Sequence, residues 1–179
     1  MVITLIGYRG TGKSTVAAPL ASRLGWDWLD ADDVIEANVG KSIREIFAVD
    51  GEDVFRKHER TTMQALFGRD KLIIAAGGGA VLNHETRRDM QSAGPVIWLT
   101  ASVDTILSRM QGDATTADRR PNLTNDGGRR EVEQVLAIRE PLYRECADII
   151  ISTEEKDVDT LVDEIMTELQ PMLREGAAE

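Results

Sequence analysis

Short apolar runs alternate along the chain with longer stretches in which apolar side chains recur at helical spacing. The short runs predict five strands, namely Val2–Ile6, Trp26–Asp30, Lys71–Ala76, Val96–Leu99 and Asp148–Ile151. Two of them, Val2–Ile6 and Lys71–Ala76, are apolar at almost every position, which is typical of strands buried on both faces of a sheet. Strands that alternate with helices predict an α/β sandwich built around a parallel sheet.

The stretches between the strands predict helices, because their apolar positions fall on one face. These are Lys13–Leu24, Asp33–Asn38, Ile43–Val49, Glu52–Phe67, His84–Gln91, Val103–Met110, Glu131–Glu145 and Val158–Leu173. Ser42 is the expected N-cap of the third helix. Pro19 and Pro141 fall inside helical patterns, so we expect a bent or shortened helix at the first and an interruption at the second.

Composition bounds the class of protein. The 179 residues, with no internal repeat and no long linker, predict a single domain, and a 42% hydrophobic fraction is typical of a globular one. A single cysteine excludes an internal disulfide, and every apolar run is too short to span a membrane. Because the N-terminus also lacks the basic region of a signal peptide, we expect a cytoplasmic protein with no membrane partner.

The charge is unevenly distributed. The net charge is −10, and residues 145–179 contribute −9 of it through 11 acidic and two basic residues. The electrostatic field of a protein with this net negative charge opposes binding to the phosphates of nucleic acid, so we expect no nucleic-acid partner. The rest of the chain is nearly neutral, which leaves room for a basic pocket.

The strongest chemical signal is the segment Gly7–Ser14, which reads GYRGTGKS and fits the pattern GxxxxGK[ST] between a predicted strand and a predicted helix. Small residues allow successive backbone N–H groups to surround a phosphate, and the helix adds its positive end. Lys13 supplies a charge for the β- and γ-phosphates, and the Ser14 hydroxyl is a ligand for Mg²⁺. This motif alone does not separate a GTPase, an ATPase motor and a small-molecule kinase, although no NKxD base-reading motif is present.

Two carboxylates, Asp30 and Asp32, follow the second strand at the sheet edge where ligands of open α/β folds bind. Residues two apart in an extended segment point to the same side. One carboxylate could therefore support Mg²⁺ while the other orients an acceptor hydroxyl or accepts its proton. The alternative is a solvated acidic turn in which Asp33 caps a helix.

Further candidates lie near the same edge. Gly77-Gly78-Gly79 follows a strand and indicates either the close approach of a ligand or a plain flexible turn. Arg56 and Glu59 share a helix face, so Arg56 could bind a carboxylate while Glu59 holds it, although a surface ion pair has the same spacing.

Arginines are concentrated in residues 109–144, which hold seven of the 16 arginines and no lysine. Within this stretch, residues 112–130 are expected to form a mobile lid, in which Arg119 and Arg120 precede Pro121. Arginines on a closing loop can stabilise the charge that develops in phosphoryl transfer. The alternative is a solvated loop in which nearby aspartates balance the charge.

In combination these motifs resemble the shikimate kinases over nearly the whole chain. The matching segments are Gly7–Ser14, Leu29–Asp32, Gly40–Ile43 with Ile46-Phe47, Gly51-Glu52, Phe55–Glu59, Gly77–Val81, Arg120-Pro121 and Arg139–Tyr143. The resemblance implies a three-layer α/β sandwich with a five-stranded parallel sheet, the P-loop kinase fold. It also implies a single kinase domain over residues 1–179, with acceptor-binding helices in 31–69 and a C-terminal helix in 157–174.

The resemblance further implies transfer of the γ-phosphoryl group of ATP to the 3-hydroxyl of shikimate, with Mg²⁺ as cofactor, by a monomer. It places ATP on Gly10, Thr11, Gly12, Lys13, Ser14, Thr15, Arg109 and Arg120, and the metal on Ser14 and Asp30. It places shikimate on Asp32, Arg56, Glu59, Gly77, Gly78, Gly79 and Arg139, beside an apolar wall of Phe47 and Phe55. The implied catalytic residues are Lys13, Asp32 and Arg120.

Two features depart from the family pattern. The segment between Arg109 and Arg120 is longer than the usual lid, and Ser152-Thr153 replaces the Asp-Thr pair that often follows the last strand. Two alternatives also remain, a related kinase for another acceptor such as gluconate, and a binding module without turnover. The second should lack Lys13, Asp32 or the lid arginine, and the sequence has all three.

Overall fold

The computed structural model describes residues 1–112 and 128–175. Five parallel strands form one sheet in the order β2-β3-β1-β4-β5. The strands are β1 Val2–Ile6, β2 Asp27–Asp30, β3 Leu72–Ala75, β4 Val96–Thr100 and β5 Ile149–Ser152. The predicted five-stranded parallel sheet is therefore confirmed, with the strand that precedes the phosphate loop at its centre.

Helices cover both faces of the sheet. They are α1 Lys13–Leu24, α2 Ala31–Val39, α3 Ile43–Glu45, α4 Glu52–Phe67, α5 His84–Ala93, α6 Val103–Gly112, α7 Gly128–Cys146 and α8 Val158–Glu175. A π-helix over Ile46–Asp50 continues α3, and a 3₁₀ turn covers Ala80–Leu82. In the part of the chain that the structure describes, no helix is both long and apolar enough to cross a membrane.

Alternation along the central strand divides the core into two layers, because successive side chains of a strand point to opposite faces. Ile3 and Leu5 pack in a cluster with residues of α1 and α8. Val2 and Ile6 pack in a second cluster with residues of α4, α5 and α7. The three-layer α/β sandwich is thus confirmed.

The register of the strands brings their carboxyl ends to one level. Leu5 of β1 pairs with Ala75 of β3, and Ala75 pairs in turn with Asp30 at the end of β2. The loops that leave these three strands therefore begin side by side at one edge of the sheet.

Several predicted helix boundaries are wrong. Helix α2 begins at Ala31 rather than Asp33, because the Asp30 carboxylate caps it by accepting from the backbone N–H of Asp32. The expected cap at Ser42 is confirmed, and it forms a reciprocal capping box with Glu45. The continuation of that turn as a π-helix was not expected from the apolar spacing.

The predicted interruption at Pro141 is wrong, and the helix that contains Pro19 is not shortened there. Helix α1 is continuous past Pro19, and α7 is continuous past Pro141. A proline costs its helix one hydrogen bond, and packing of the buried face against the sheet offsets that loss. The predicted lid over 112–130 overlaps a helix at each end. Helix α6 extends to Gly112, and α7 begins at Gly128.

Candidate active site

The phosphate loop leaves β1 at Gly7. The φ angle there is +138°, and a Cβ atom would stand 2.4 Å from the carbonyl oxygen of Leu99, so only glycine fits. The loop enters α1 through Gly12, and the first turn of α1 presents backbone N–H groups suited to an anion. The Lys13 ammonium donates to the carbonyl oxygens of Gly7 and Tyr8, each at 2.9 Å, and so lies across the loop.

A hydroxyl and two carboxylates stand beside this loop. Ser14 Oγ donates to Asp30 Oδ2 at 2.6 Å, and the other oxygen of Asp30 accepts from the N–H of Asp32 at 2.9 Å. Burial, and the nearby negative charge of Asp32, raise the pKa of the Asp30 carboxyl, while its hydrogen bond from Ser14 opposes the rise. The two carboxylates were expected to share a side of an extended segment, but Asp32 lies instead in the first turn of α2.

The loop and the carboxylates open into one cavity of about 590 Å³. Its lining includes residues from the carboxyl ends of all five strands or from the elements that follow them, among them Gly10, Thr11, Gly12, Lys13, Ser14, Thr15, Asp30, Asp32, Gly77, Gly78, Arg109 and Thr153. The predicted metal residues and the predicted nucleotide residues of the described part of the chain therefore surround a common space, together with three of the seven predicted acceptor residues. The other four acceptor residues are absent from this lining, namely Arg56, Glu59, Gly79 and Arg139.

Arg56 of α4 is held by two carboxylates. Its Nη1 donates to Glu59 Oε2 at 2.7 Å, and its Nη2 donates to Glu52 Oε1 at 2.9 Å. The Glu59 side chain is only 6% exposed, whereas that of Glu52 is 59% exposed. Burial lowers the pKa of Arg56, but the charge of Glu59 and the hydrogen bonds outweigh burial and raise it, so the guanidinium stays charged. A plain surface pair is excluded by the burial of Glu59.

The triple-glycine segment brings this arginine together with a second one. A Cβ atom on Gly79 would stand 2.2 Å from Arg56 Nη1, and one on Gly78 would stand 3.5 Å from Arg139 Nη1. Arg139 lies on α7 and is 7% exposed. Arg56 and Arg139 thus lie beside adjacent glycines. Their spacing along the chain does not indicate that they are close together.

Aromatic side chains form the expected apolar surface beside Arg56. The rings of Phe47 and Phe55 lie with centroids 4.8 Å apart, and the Arg56 guanidinium carbon is 5.2 Å from the centroid of Phe55. The π-helix carries Phe47 into this contact. Sequence reasoning missed Tyr143, whose hydroxyl donates to the Gly78 carbonyl oxygen at 2.6 Å and fixes the glycine segment to α7.

On the other side of the cavity, Arg109 of α6 is tied to the strand ends. Its guanidinium donates to Gly10 O at 3.3 Å, and to the hydroxyl and carbonyl oxygens of Thr153, each at 2.8 Å. Thr153 Oγ1 also donates to Thr100 O at 3.0 Å. The Ser152-Thr153 pair that departs from the family pattern therefore anchors Arg109 through its threonine.

The lid arginines and the metal site remain predictions. Arg119 and Arg120, with most of the predicted lid, lie outside the described residues. Among the residues that the structure does describe, no three His, Cys, Asp or Glu side chains converge as a metal cluster. Any metal here would rely on Ser14, Asp30 and oxygen atoms of its substrate, a hard-oxygen set of the kind that Mg²⁺ prefers.

The site has the features of a P-loop kinase of the small-molecule type. A glycine-rich phosphate loop follows a buried strand, and a lysine and a hydroxyl stand at the start of the next helix. Paired carboxylates lie at the same edge of the sheet. The family model for shikimate kinase matches residues 9–170. The chain belongs to the shikimate kinase family, whose members are phosphotransferases that use ATP.

Individual relatives agree with this assignment. A shikimate kinase of Rhodopirellula baltica is 44% identical over 162 residues, which is 90% of this chain and 87% of that protein. A shikimate kinase of Francisella tularensis subsp. novicida is 41% identical over 166 residues and 92% of each chain. The solved structure of shikimate kinase from Acinetobacter baumannii in complex with shikimate superimposes with a TM-score of 0.89 at 34% identity, covering 95% of this chain and 93% of that one.

Proposed function

We propose that this protein transfers the γ-phosphoryl group of ATP to the 3-hydroxyl of shikimate and releases ADP and shikimate 3-phosphate. The observation that carries the proposal is the convergence of Arg56 and Arg139 on Gly78 and Gly79, next to the cavity that holds Lys13 and Asp32. Two guanidinium groups at one place match a carboxylate ligand, and shikimate presents a carboxylate together with hydroxyls.

The nucleotide side would use the loop and the start of α1. Backbone N–H groups of Gly10, Thr11, Gly12 and the first turn of α1 would bind the phosphates, and Lys13 would exchange its carbonyl acceptors for phosphate oxygens. Ser14 and Asp30 would hold Mg²⁺, which neutralises negative charge on the β- and γ-phosphates when it is bound. Arg109 would lie beside the adenine.

The acceptor side would use Arg56 and Arg139 to bind the carboxylate, with Glu59 fixing Arg56. Asp32 would accept a hydrogen bond from the 3-hydroxyl and take its proton as the oxygen bonds to the γ-phosphorus. The bond from that phosphorus to the bridging oxygen of ADP breaks, and the proton later passes from Asp32 to water. Arg120, or its neighbour Arg119, would stabilise the charge that spreads over the transferred group.

The proposal includes a single kinase domain that acts as a monomer in the cytoplasm and uses small-molecule substrates, without a nucleic-acid partner. The net charge of −10 supports the last point, because a negatively charged protein repels nucleic acid. Size-exclusion chromatography with light scattering tests the monomer directly.

The decisive experiment is an ADP-release assay with purified protein across three acceptors, shikimate, gluconate and a nucleoside monophosphate, each with Mg²⁺ and with EDTA. We expect Mg²⁺-dependent ADP formation with shikimate that is stoichiometric with shikimate 3-phosphate. Preferential turnover of gluconate or of the nucleoside monophosphate would replace the proposed acceptor. Binding of shikimate and ATP with no turnover would favour the non-catalytic module.

A further inference from the structure

A buried ion pair joins the phosphate loop to the first turn of α7. Arg9 Nη2 lies 2.5 Å from Glu131 Oε1, and the two side chains are 12% and 1% exposed. The residues are 122 positions apart in the chain, so the contact fixes two distant segments to each other.

An apolar contact reinforces the same junction. Tyr8, the neighbour of Arg9 in the loop, is fully buried in a cluster with Val132 and Val135 of α7 and Ile106 of α6. The loop therefore meets α7 through one charged and one aromatic side chain in succession.

The same helix also reaches the acceptor side. Glu131, Val135, Arg139 and Tyr143 recur at intervals of four and are all buried, which places them along one face. Arg139 lies beside Gly78, and the Tyr143 hydroxyl donates to the carbonyl oxygen of Gly78. From Glu131 to Arg139 the helix axis rises about 12 Å, so a single rigid element contacts the phosphate loop at one point and the acceptor loop at another.

A buried ion pair is weak support for stability, because the cost of removing both charges from water offsets their attraction. Its geometry, however, is well defined, and phosphoryl transfer depends strongly on how the two reacting oxygens are positioned. The negative charge of Glu131 is also suited to the first turn of a helix.

We infer that Arg9 and Glu131 are positioning residues that set the place of α7 relative to the phosphate loop, so that Arg139 holds the acceptor in line with the γ-phosphate. This inference rests on the proposed function, because it takes shikimate as the molecule that Arg139 binds. Arg9 also lines the cavity. Its role in this inference is to pair with Glu131 and not to bind the nucleotide.

The test uses the full chain with the variants Glu131→Gln, Arg9→Met, Arg9→Lys and the double variant Arg9→Met/Glu131→Gln. The matched control is Glu133→Gln, which alters an exposed ion pair with Arg129 on the same helix. For each protein, kcat is measured at saturating ATP and shikimate, Kd for ADP and for shikimate by calorimetry, and Tm by scanning calorimetry.

We expect Glu131→Gln and Arg9→Met each to lower kcat by about tenfold or more, because small misplacements of reacting groups are costly. The Kd for ADP should stay within about twofold of the parent value. Arg9→Lys keeps a charge for Glu131 and should recover most of the loss, and Glu133→Gln should match the parent. The double variant should be about as slow as either single variant, because both remove one interaction.

Three outcomes would overturn the inference. A lower Tm with unchanged kcat in Glu131→Gln would make the pair merely structural. An Arg9→Met variant that binds ADP much more weakly, beside a Glu131→Gln variant of parent activity, would make Arg9 a nucleotide ligand. Losses that multiply in the double variant would show two independent roles.

The double variant keeps the test usable if a single variant fails to fold, because it leaves neither charge buried without its partner. If Glu131→Gln does not fold, a slow double variant supports the inference and a double variant of parent kcat contradicts it. Failure of the proposed function looks different, since the parent protein itself would then not turn over shikimate.

Discussion

The guanidinium group of Arg56 occupies the space in which a side chain at Gly79 would begin. A Cβ atom there would stand 2.2 Å from Nη1 of the arginine. The φ angle of Gly79 is −96°, a value open to any residue, so the position requires space and not an unusual backbone. The absence of a side chain at Gly79 thus sets where Arg56 can lie.

Gly79→Ala should raise the KM for shikimate by about 10- to 100-fold, because hydrogen bonds to charged groups contribute about 1.5–3 kcal/mol. The free energy of unfolding should also fall, because the displaced guanidinium group is paired with the buried carboxylate of Glu59. Gly68→Ala is the matched control, because its Cβ would meet only the Ala65 carbonyl oxygen at 3.5 Å. Steady-state kinetics with urea unfolding measure both effects, and an unchanged KM would contradict the placement of Arg56 in the acceptor site.

The two carboxylates that hold Arg56 provide an internal comparison. Glu59→Gln should raise the KM for shikimate by about fivefold or more, because a buried ion pair loses a charge. Glu52→Gln should leave it within about twofold, because solvent screens the exposed pair. Nucleotide affinity should be unaffected in both variants. Equal effects of the two substitutions on KM would show that burial does not distinguish the roles of Glu59 and Glu52.

Asp32→Asn tests the proposed proton acceptor. General-base catalysis contributes roughly 10²- to 10⁴-fold, and we expect kcat to fall by an amount in that range while the Kd for ATP changes little. The amide keeps the size of the side chain, so the Tm should stay close to that of the parent. A variant with full kcat would remove Asp32 from the chemical step.

Asp30→Asn should stabilise the protein in EDTA at neutral pH. Burial and the charge of Asp32 raise the pKa of this carboxyl in the folded state. A raised carboxyl pKa means that this group favours the folded state below its unfolded pKa, and that the contribution is lost as the pH rises through the folded value. Asparagine lacks this loss, and its amide oxygen can still accept from the N–H of Asp32 while its amide nitrogen donates to Ser14 Oγ.

The measurement is urea unfolding at pH 4–8 in EDTA, together with the Mg²⁺ dependence of turnover. The advantage of Asp30→Asn should grow as the pH rises across the acidic range, and Mg²⁺ should activate the variant less than the parent. An advantage of Asp30→Asn that stays constant or shrinks as the pH rises would be inconsistent with the raised pKa.

Cys146 should be unreactive in the folded protein. Burial raises the pKa of its thiol to about 11, so at pH 8 roughly one thiol in 10³ is ionised, against about one in four for a free thiol. Alkylation by iodoacetamide should therefore be about 100-fold slower in buffer than in urea, as followed by mass spectrometry. Equal rates in the two conditions would mean that the thiol is accessible in the folded chain.

Local patterns in the sequence predict most of the fold. Continuous apolar runs such as Val2–Ile6 mark the central strands, and the spacing of glycine, lysine and serine after Gly7 marks the phosphate loop, because both depend on neighbouring residues only. Helix boundaries are less certain when a side chain has two possible roles. Asp30 was assigned to a metal, and its additional role as the cap of α2 moved the start of that helix.

Contacts between distant segments are not predictable from spacing. Nothing near Arg9 indicates Glu131, and nothing near Gly78 indicates the hydroxyl of Tyr143, because each contact depends on how α7 packs on the sheet. The resemblance to a family relates Arg56 to Arg139 by their shared roles. Only the fold explains how adjacent glycines bring the two guanidinium groups together.

The order of the strands also bears on how acceptor choice can change during evolution. The chain leaves the sheet at Asp30 and returns at Leu72 on the adjacent strand, and the intervening crossover carries Asp32, Arg56 and Glu59. Three of the seven proposed acceptor residues thus belong to one contiguous exchangeable segment with its two ends fixed in the sheet. A lineage could alter that segment, and with it the molecule that is phosphorylated, while inheriting the phosphate loop unchanged.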